Sequence, residues 1–206
     1  MQKLVIIING NGGVGKDTLC DFVSENYKSI SVSSVTPIKN IASQCGWHGE
    51  KDSKSRKFLA DLKKVVVDYN DYPYKYLISE YEKFRVGDAQ ILFAHIREGE
   101  EIDKFKGYVD LPCLTLLIRR KNVQRFWGNE SDDNVERYSY DYYYDNDKIL
   151  SEAKVDFLMF FDGMIKSSLY KGRKDEGGNN LFPKDRLAGT IPNWYIQDKR
   201  LLSKRI

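Results

Sequence analysis

The stretch LVIIINGNGGVGKDTLCDFVSENYK, residues 4–28, decides how this chain is read. Five apolar residues, Leu4 to Ile8, run into a glycine-rich turn that carries a lysine and passes directly into an amphipathic segment. Gly10, Gly15 and Lys16 meet the pattern G-x-x-x-x-G-K, with Gly12 and Gly13 inside it. Glycines let a loop turn its backbone N–H groups inward around a phosphate with no Cβ atoms in the way. The positive end of the helix that follows points at the same anion, and Lys16 adds a mobile charge. Strand, loop and helix in that order is the context in which the pattern marks a phosphate-binding loop. The residues predicted to cradle the phosphates are Gly10, Asn11, Gly12, Gly13, Val14, Gly15, Lys16, Asp17 and Thr18.

Working outward, the chain of 206 residues is long enough for one α/β domain with a real core. Charged residues make up 31% and hydrophobic ones 41%, ordinary for a soluble globular protein. A formal net charge of +3 is too small to argue for nucleic acid. It is unevenly placed: residues 171–206 hold nine Lys/Arg against four Asp/Glu, so the basic excess belongs to the tail. No apolar run reaches the roughly 18–20 residues of a membrane helix, and the N-terminus lacks a signal-peptide layout. Cys20, Cys45 and Cys113 are widely spaced without C-x-x-C, and are expected to be packed, reduced thiols of a cytoplasmic protein. His48, in a loop of Gly, Trp and charged residues, is expected to be solvated.

Periodicity supplies the elements. Leu19, Cys20, Phe22, Val23 and Tyr27 recur at helical spacing, predicting a helix over 16–27. Ile30–Ser33 is a short strand, and Thr36-Pro37 reads as an N-cap with proline at the first helical position. In that helix Ile38, Ile41, Ala42 and Cys45 should face inward. Residues 54–69 form an amphipathic helix with a stripe at 58, 59, 62, 65, 66 and 69, and another helix follows over 73–85. Strands are predicted at 89–95, 111–118 and 140–144, with a short helix at 100–105. Asp145-Asn146-Asp147 is read as the start of a last helix whose core stripe is Leu150, Ala153, Phe157, Phe161 and Met164. Strands alternating with helices imply a three-layer α/β/α fold around a five-stranded parallel sheet. Residues 171–180 read as a linker, and the apolar residues beyond are expected to dock on the domain or on a second subunit, as in a homodimer.

Two segments resemble a known family. GKDTLCDFV, from Gly15, followed by SVTPIKNIA, ending at Ala42, is similar to the start of the phage-type deoxynucleoside monophosphate kinases. P-loop phosphomevalonate kinases share G-K-D. The likeness continues in patches to about residue 165: Ser55-Arg56-Lys57-x-Leu59, His95-Ile96-Arg97-Glu98 with Glu101, the acidic stretch 129–136, and the turn Asp141 to Asp147. It implies a P-loop kinase domain over 1–170, with substrate helices in 36–85 and a lid at 119–138, using ATP and Mg²⁺. The implied substrate is a small-molecule nucleotide, a nucleoside or deoxynucleoside monophosphate. Lys16 and the loop amides would hold the β- and γ-phosphates, while Asp17 and Thr18 would organise Mg²⁺ and its waters. Arg56 and Arg97 would hold the acceptor, and Arg119 or Arg120 would close over the moving phosphoryl group.

Arginines suit these tasks because a planar guanidinium binds phosphate oxygens in pairs. His95 departs from the family pattern, which has an aspartate there. An imidazole does not replace a carboxylate but can hydrogen-bond a base or a phosphate, so His95 joins the substrate-side set. Glu98, with Asp17, is then the candidate for negative charge near the metal. Three alternatives stay open: a kinase of another small phosphorylated metabolite, a nucleotide-binding protein without turnover, and, from the basic tail, a nucleic-acid end kinase.

Overall fold

Leu4–Asn9 forms the first strand, β1, and all six of its residues are buried. An apolar run closed by one polar residue is what a strand flanked on both edges and both faces requires. The protein is described here from a computed structural model, over residues 3–121 and 135–170. After β1 come α1 (Lys16–Ser24), β2 (Ser29–Ser33), α2 (Thr36–Gln44), α3 (Ser53–Asn70) and α4 (Tyr72–Val86). Then follow β3 (Ile91–His95), α5 (Gly99–Tyr108), β4 (Cys113–Arg119), a 3-10 turn at Val135–Arg137, β5 (Tyr142–Asp145) and α6 (Leu150–Tyr170). The chain groups into two compact units that divide between Asp147 and Lys148, so α6 stands in the second.

All strand pairings are parallel, in the order β2-β3-β1-β4-β5. The predicted five-stranded parallel α/β sheet is therefore what forms. Val5 and Ile7 point to one face, where they meet Leu77, Tyr81 and Phe84 of α4 and Ile102 and Phe105 of α5. Leu4, Ile6 and Ile8 alternate to the other face. Right-handed crossovers put α1 there, because β1 to β2 runs against the direction of the later crossovers. Each of these buried Leu, Ile or Phe side chains contributes about 1.5–3 kcal/mol.

Several boundaries differ from the sequence reading for local reasons. β5 begins at Tyr142, not Tyr140, because the Tyr140 side chain turns into the core and its N–H is donated to Tyr143 Oη. Helix α6 begins at Leu150, not within Asp145-Asn146-Asp147: Asp147 accepts the Lys121 N–H at 2.8 Å instead. Thr36 is the first helical residue of α2 and Val35 its N-cap. Inward-facing Ile38 and Ala42 are buried as expected, but Cys45 is exposed.

The stripe of α3 has helical period, yet no residue of that helix is buried. It packs mainly on α2 and α4, and Val65 is left 65% and Tyr69 84% exposed. Within α6, Ala153, Phe157, Phe161 and Met164 are buried as predicted, whereas Leu150 is exposed.

Two polar devices fix the frame. Lys3 Nζ donates to the carbonyls of Phe84, Gly87 and Ala89 at 2.7, 2.7 and 2.9 Å, closing the C-terminal end of α4, where a cation is favoured. Thr115 and Asp141 lock β4 to the start of β5. Thr115 N and Oγ1 both donate to Asp141 Oδ2 at 2.9 Å, and Asp141 N donates back to Thr115 Oγ1 at 2.8 Å. Burial opposes ionisation of Asp141, but the Thr115 bonds prevail and hold its carboxyl below the ordinary carboxylate range. Thr115→Val keeps the shape of a buried side chain and deletes the hydroxyl. Urea unfolding should show a loss of about 1–3 kcal/mol, from the Asp141 groups left unpaired. An unchanged midpoint would mean that the lock carries no stability.

Candidate functional site

Parallel pairing brings the C-terminal ends of all five strands to one edge. The register sets Ile8 beside His95, Ser33 beside His95, Asn9 beside Leu117 and Arg119 beside Asp145. Ligands of open parallel sheets bind at this edge. The loop after β1 leaves it and enters α1 with Gly10, Gly13 and Gly15 at φ 142°, 83° and 92°. A Cβ on Gly10 would stand 2.3 Å from the Ile118 carbonyl oxygen, and one on Gly15 2.7 Å from Asn146 Nδ2. Both positions need glycine for space as well as for conformation. Lys16 folds its ammonium back onto the loop, 2.5 Å from the Gly10 carbonyl oxygen and 3.0 Å from that of Asn11. This is the P-loop NTPase fold.

In the P-loop, Asn11 Oδ1 is buried with no hydrogen-bond partner among the described residues. Such an acceptor is one that water or a ligand satisfies. Asn11, Val14, Ile118, Arg120, Val135 and Glu136 line a small cleft between the loop and the end of β4. Two asparagines brace the loop. Asn9 Oδ1 accepts from Gly10 N at 2.8 Å, while its Nδ2 donates to the Arg97 carbonyl at 2.9 Å and to Tyr140 Oη at 2.7 Å. Asn146 Nδ2 donates to the Val14 carbonyl at 2.8 Å, and its own N–H to the Arg119 carbonyl at 2.8 Å. Asn9 was not singled out from the sequence, although a polar residue ending an apolar strand was the available signal. Asn146 stands out in the sequence only as part of a turn and of the expected start of the last helix.

The predicted site residues fall into three places. Asp17 and Thr18 open α1 and are exposed, with the Asp17 side chain 94% accessible. His95, ending β3, is mostly enclosed, and its Nδ1 lies 3.9 Å from Asp17 Oδ1. Burial, opposed by the Asp17 carboxylate, lowers the His95 imidazole to about 4, so it is neutral around pH 7. An exposed carboxylate and a neutral imidazole facing it are oxygen and nitrogen donors of the kind that hold a divalent cation. Arg97 follows on the same strand end and is exposed; Arg56, on α3, donates its Nε to the Lys51 carbonyl at 2.9 Å.

Arg119 is drawn onto β5: its Nε lies 2.9 Å from Asp145 Oδ1 and its guanidinium 5.2 Å from the centre of the Tyr143 ring. Arg120 is exposed at the rim of the cleft. Arg125, Trp127 and most of the predicted lid and its acidic stretch lie outside the described residues, as does the tail from Lys171. Trp47 is half-buried and donates to the Glu50 carbonyl at 3.2 Å.

Glu98 meets a cation of the protein itself. Lys63 Nζ, from α3, lies 2.5 Å from Glu98 Oε2 and 3.2 Å from Glu101 Oε2, and Ser34 Oγ donates to Glu101 Oε2 at 3.3 Å. Burial pushes the Glu101 carboxyl up to about 7 against the pull of Lys63. The same burial works against charge on Lys63, but Glu101 and Glu98 outweigh it and raise its affinity for the proton. Lys63 had no sequence signal, since a lysine on a polar helix face is ordinarily solvated.

No family model matches this chain, and no curated protein matches it. Among solved structures it is similar to dephospho-CoA kinase from Campylobacter jejuni at 13% identity and TM-score 0.48, covering 79% of this chain and 98% of that one. It is also similar to TT1252 from Thermus thermophilus (15%, TM-score 0.44, covering 84% and 100%). A gluconokinase from Sinorhizobium meliloti 1021 is similar at 11% and TM-score 0.44, covering 84% and 98%. At this distance the residues of the site speak only for themselves.

Lys63→Ala should cost about 2–4 kcal/mol at about pH 8, because the largely enclosed Glu101 carboxylate and the half-buried Glu98 carboxylate lose their cation. In the variant the folded Glu101 carboxyl binds its proton more tightly than in the unfolded chain. Stability is then lost as pH rises through the folded value and regained below it, so the deficit should shrink at about pH 5.5. Urea midpoints at the two pH values read this directly, and a deficit of equal size at both would remove the carboxyls from the account.

Proposed function

We propose that this chain transfers the γ-phosphoryl group of ATP to an acceptor that already carries phosphate, a nucleoside or deoxynucleoside monophosphate. The observation that carries the reading is the double grip of Asn9. One amide nitrogen and one oxygen hold the start of the phosphate loop and the carbonyl of Arg97, so a triphosphate site and a phosphate-binding side chain are fixed to the same strand end. Phosphoryl transfer asks a protein mainly to position two anions and to neutralise charge.

The roles divide accordingly. The loop amides and Lys16, once it exchanges its carbonyl partners for phosphate oxygens, hold the β- and γ-phosphates. Arg97, and Arg56 from α3, hold the acceptor phosphate. Arg120 stands at the cleft rim, while Arg119 reaches the moving group by leaving Asp145. A bound divalent cation, Mg²⁺ in the first instance, supplies charge neutralisation on the phosphates, and Asp17 and Thr18 are the residues that would hold it. Glu98 would join them only by giving up Lys63.

The acceptor class follows from what the β3 end lacks. It offers an imidazole and a guanidinium, while Glu98 is engaged by Lys63 and Asp17, 3.9 Å from His95 Nδ1, is assigned to the metal, so neither carboxylate is left to act as a base. A hydroxyl acceptor needs a proton removed, whereas a monophosphate arrives ionised.

ADP release measured with a panel of ribo- and deoxynucleoside monophosphates, beside phosphomevalonate and dephospho-coenzyme A, tests this. One or more monophosphates should stimulate release. Lys16→Ala should reduce kcat by about 10²–10³-fold, and Arg97→Ala should raise the acceptor KM more than it lowers kcat. Stimulation by another phosphorylated acceptor alone would move the reading to that acceptor. Nucleotide binding with turnover at background would replace it with a binding protein.

A further inference from the structure

Asp17 follows the P-loop lysine at the mouth of the loop, and His95 closes β3 beneath it. His95 is held in place by its strand, in register with Ile8 on one side and Ser33 on the other. Its Nδ1 faces Asp17 Oδ1 across 3.9 Å, and the carboxylate is open to solvent. A divalent ion bonded to a nitrogen and an oxygen at about 2.0–2.2 Å holds those two atoms about 3–4 Å apart. A side-chain adjustment is enough to admit an ion between them.

Mg²⁺ takes oxygen ligands, and imidazole suits the later first-row divalent ions; Mn²⁺ accepts carboxylate and imidazole together. We propose that Asp17 and His95 form the protein's half of a mixed oxygen–nitrogen metal site, completed by nucleotide phosphate oxygens, which favours Mn²⁺ or Co²⁺ over Mg²⁺. The inference rests on the nucleotide reading above and adds the identity of the ion.

Two observations require the nucleotide for loading. Among the described residues no three His, Cys, Asp or Glu side chains converge on a point that could hold a metal. Lys16, Arg97 and Lys39 also act on His95 with positive charge, which works against a lone cation. A polyphosphate offsets those charges and supplies the missing oxygens, so the ion and the nucleotide bind together.

Pulsed electron paramagnetic resonance of Mn²⁺ with the full chain and ADP reads the bond directly. Protein labelled with ¹⁵N-histidine should show a ¹⁵N coupling on Mn²⁺ where unlabelled protein shows ¹⁴N, which separates the imidazole from the nitrogens of the adenine. The coupling should vanish in His95→Ala. Calorimetry should give a Mn²⁺-over-Mg²⁺ preference in the ternary complex about tenfold above that of ADP alone, falling to the ADP value in His95→Ala. If Mn²⁺ and ADP both bind without a histidine coupling, the metal inference is overturned and the kinase reading stands. If ADP does not bind, both fall. If His95→Ala does not fold, labelled His48→Ala decides the matter: the coupling should persist there, and its loss would overturn the assignment to His95.

Discussion

The side chain of Asn9 is enclosed on all sides, and an enclosed amide that leaves a donor or acceptor unpaired loses about 1–3 kcal/mol for each. That constraint fixes three pieces of backbone to the central strand. Its oxygen takes the N–H of Gly10 and so sets the departure of the phosphate loop. Its nitrogen takes the carbonyl of Arg97 and so sets how the chain leaves β3. The same nitrogen meets Tyr140 Oη, which passes a hydrogen bond on to the Val135 carbonyl and anchors the segment that enters β5. The site edge is placed by this one amide as much as by the sheet.

Asn146 does the corresponding work on the far side. It fastens the loop carbonyl of Val14 to the end of β5, and it occupies the space a side chain on Gly15 would need. The loop is thus held at its start and near its end by two buried amides, one ending β1 and one just past β5. Lys16 is folded across its mouth, on carbonyls that a phosphate can replace.

What the sequence made legible was whatever depends on local pattern. The run Leu4 to Ile8, the glycine spacing and the alternation of elements led to the parallel sheet and to the phosphate loop. The buried stripe from Ala153 to Met164 was read correctly for the same reason. Periodicity says which residues share a face but not what lies opposite, so the stripe of α3 was expected to face a core and is instead half-covered by α2 and α4. Asn9, Lys63 and the partner of Arg119 escaped because each acts through a residue distant in sequence. Lys63 holds Glu98, and Arg119 holds Asp145, across strands or layers that no local window spans. With no buried residue, α3 is held by such contacts as well as by its packing on α2 and α4. Lys63 is therefore a positional counterpart of the apolar anchors that fasten α4 and α5.

The strand order carries a consequence for how the protein is made. β1 lies at the centre of the sheet, between β3 and β4, although it is the first element of the chain. Leu4 takes its partner at Ile91 and Val5 at Cys113, so on a ribosome the opening apolar run stays unmatched until the segment ending at His95 has emerged, and its second edge until the one ending at Arg119. At about 5–20 residues per second that interval lasts several seconds. Closing such long loops is also slow relative to local helix formation. The segment that leads into the glycine-rich loop thus spends its first moments as an apolar strand with both edges unpaired.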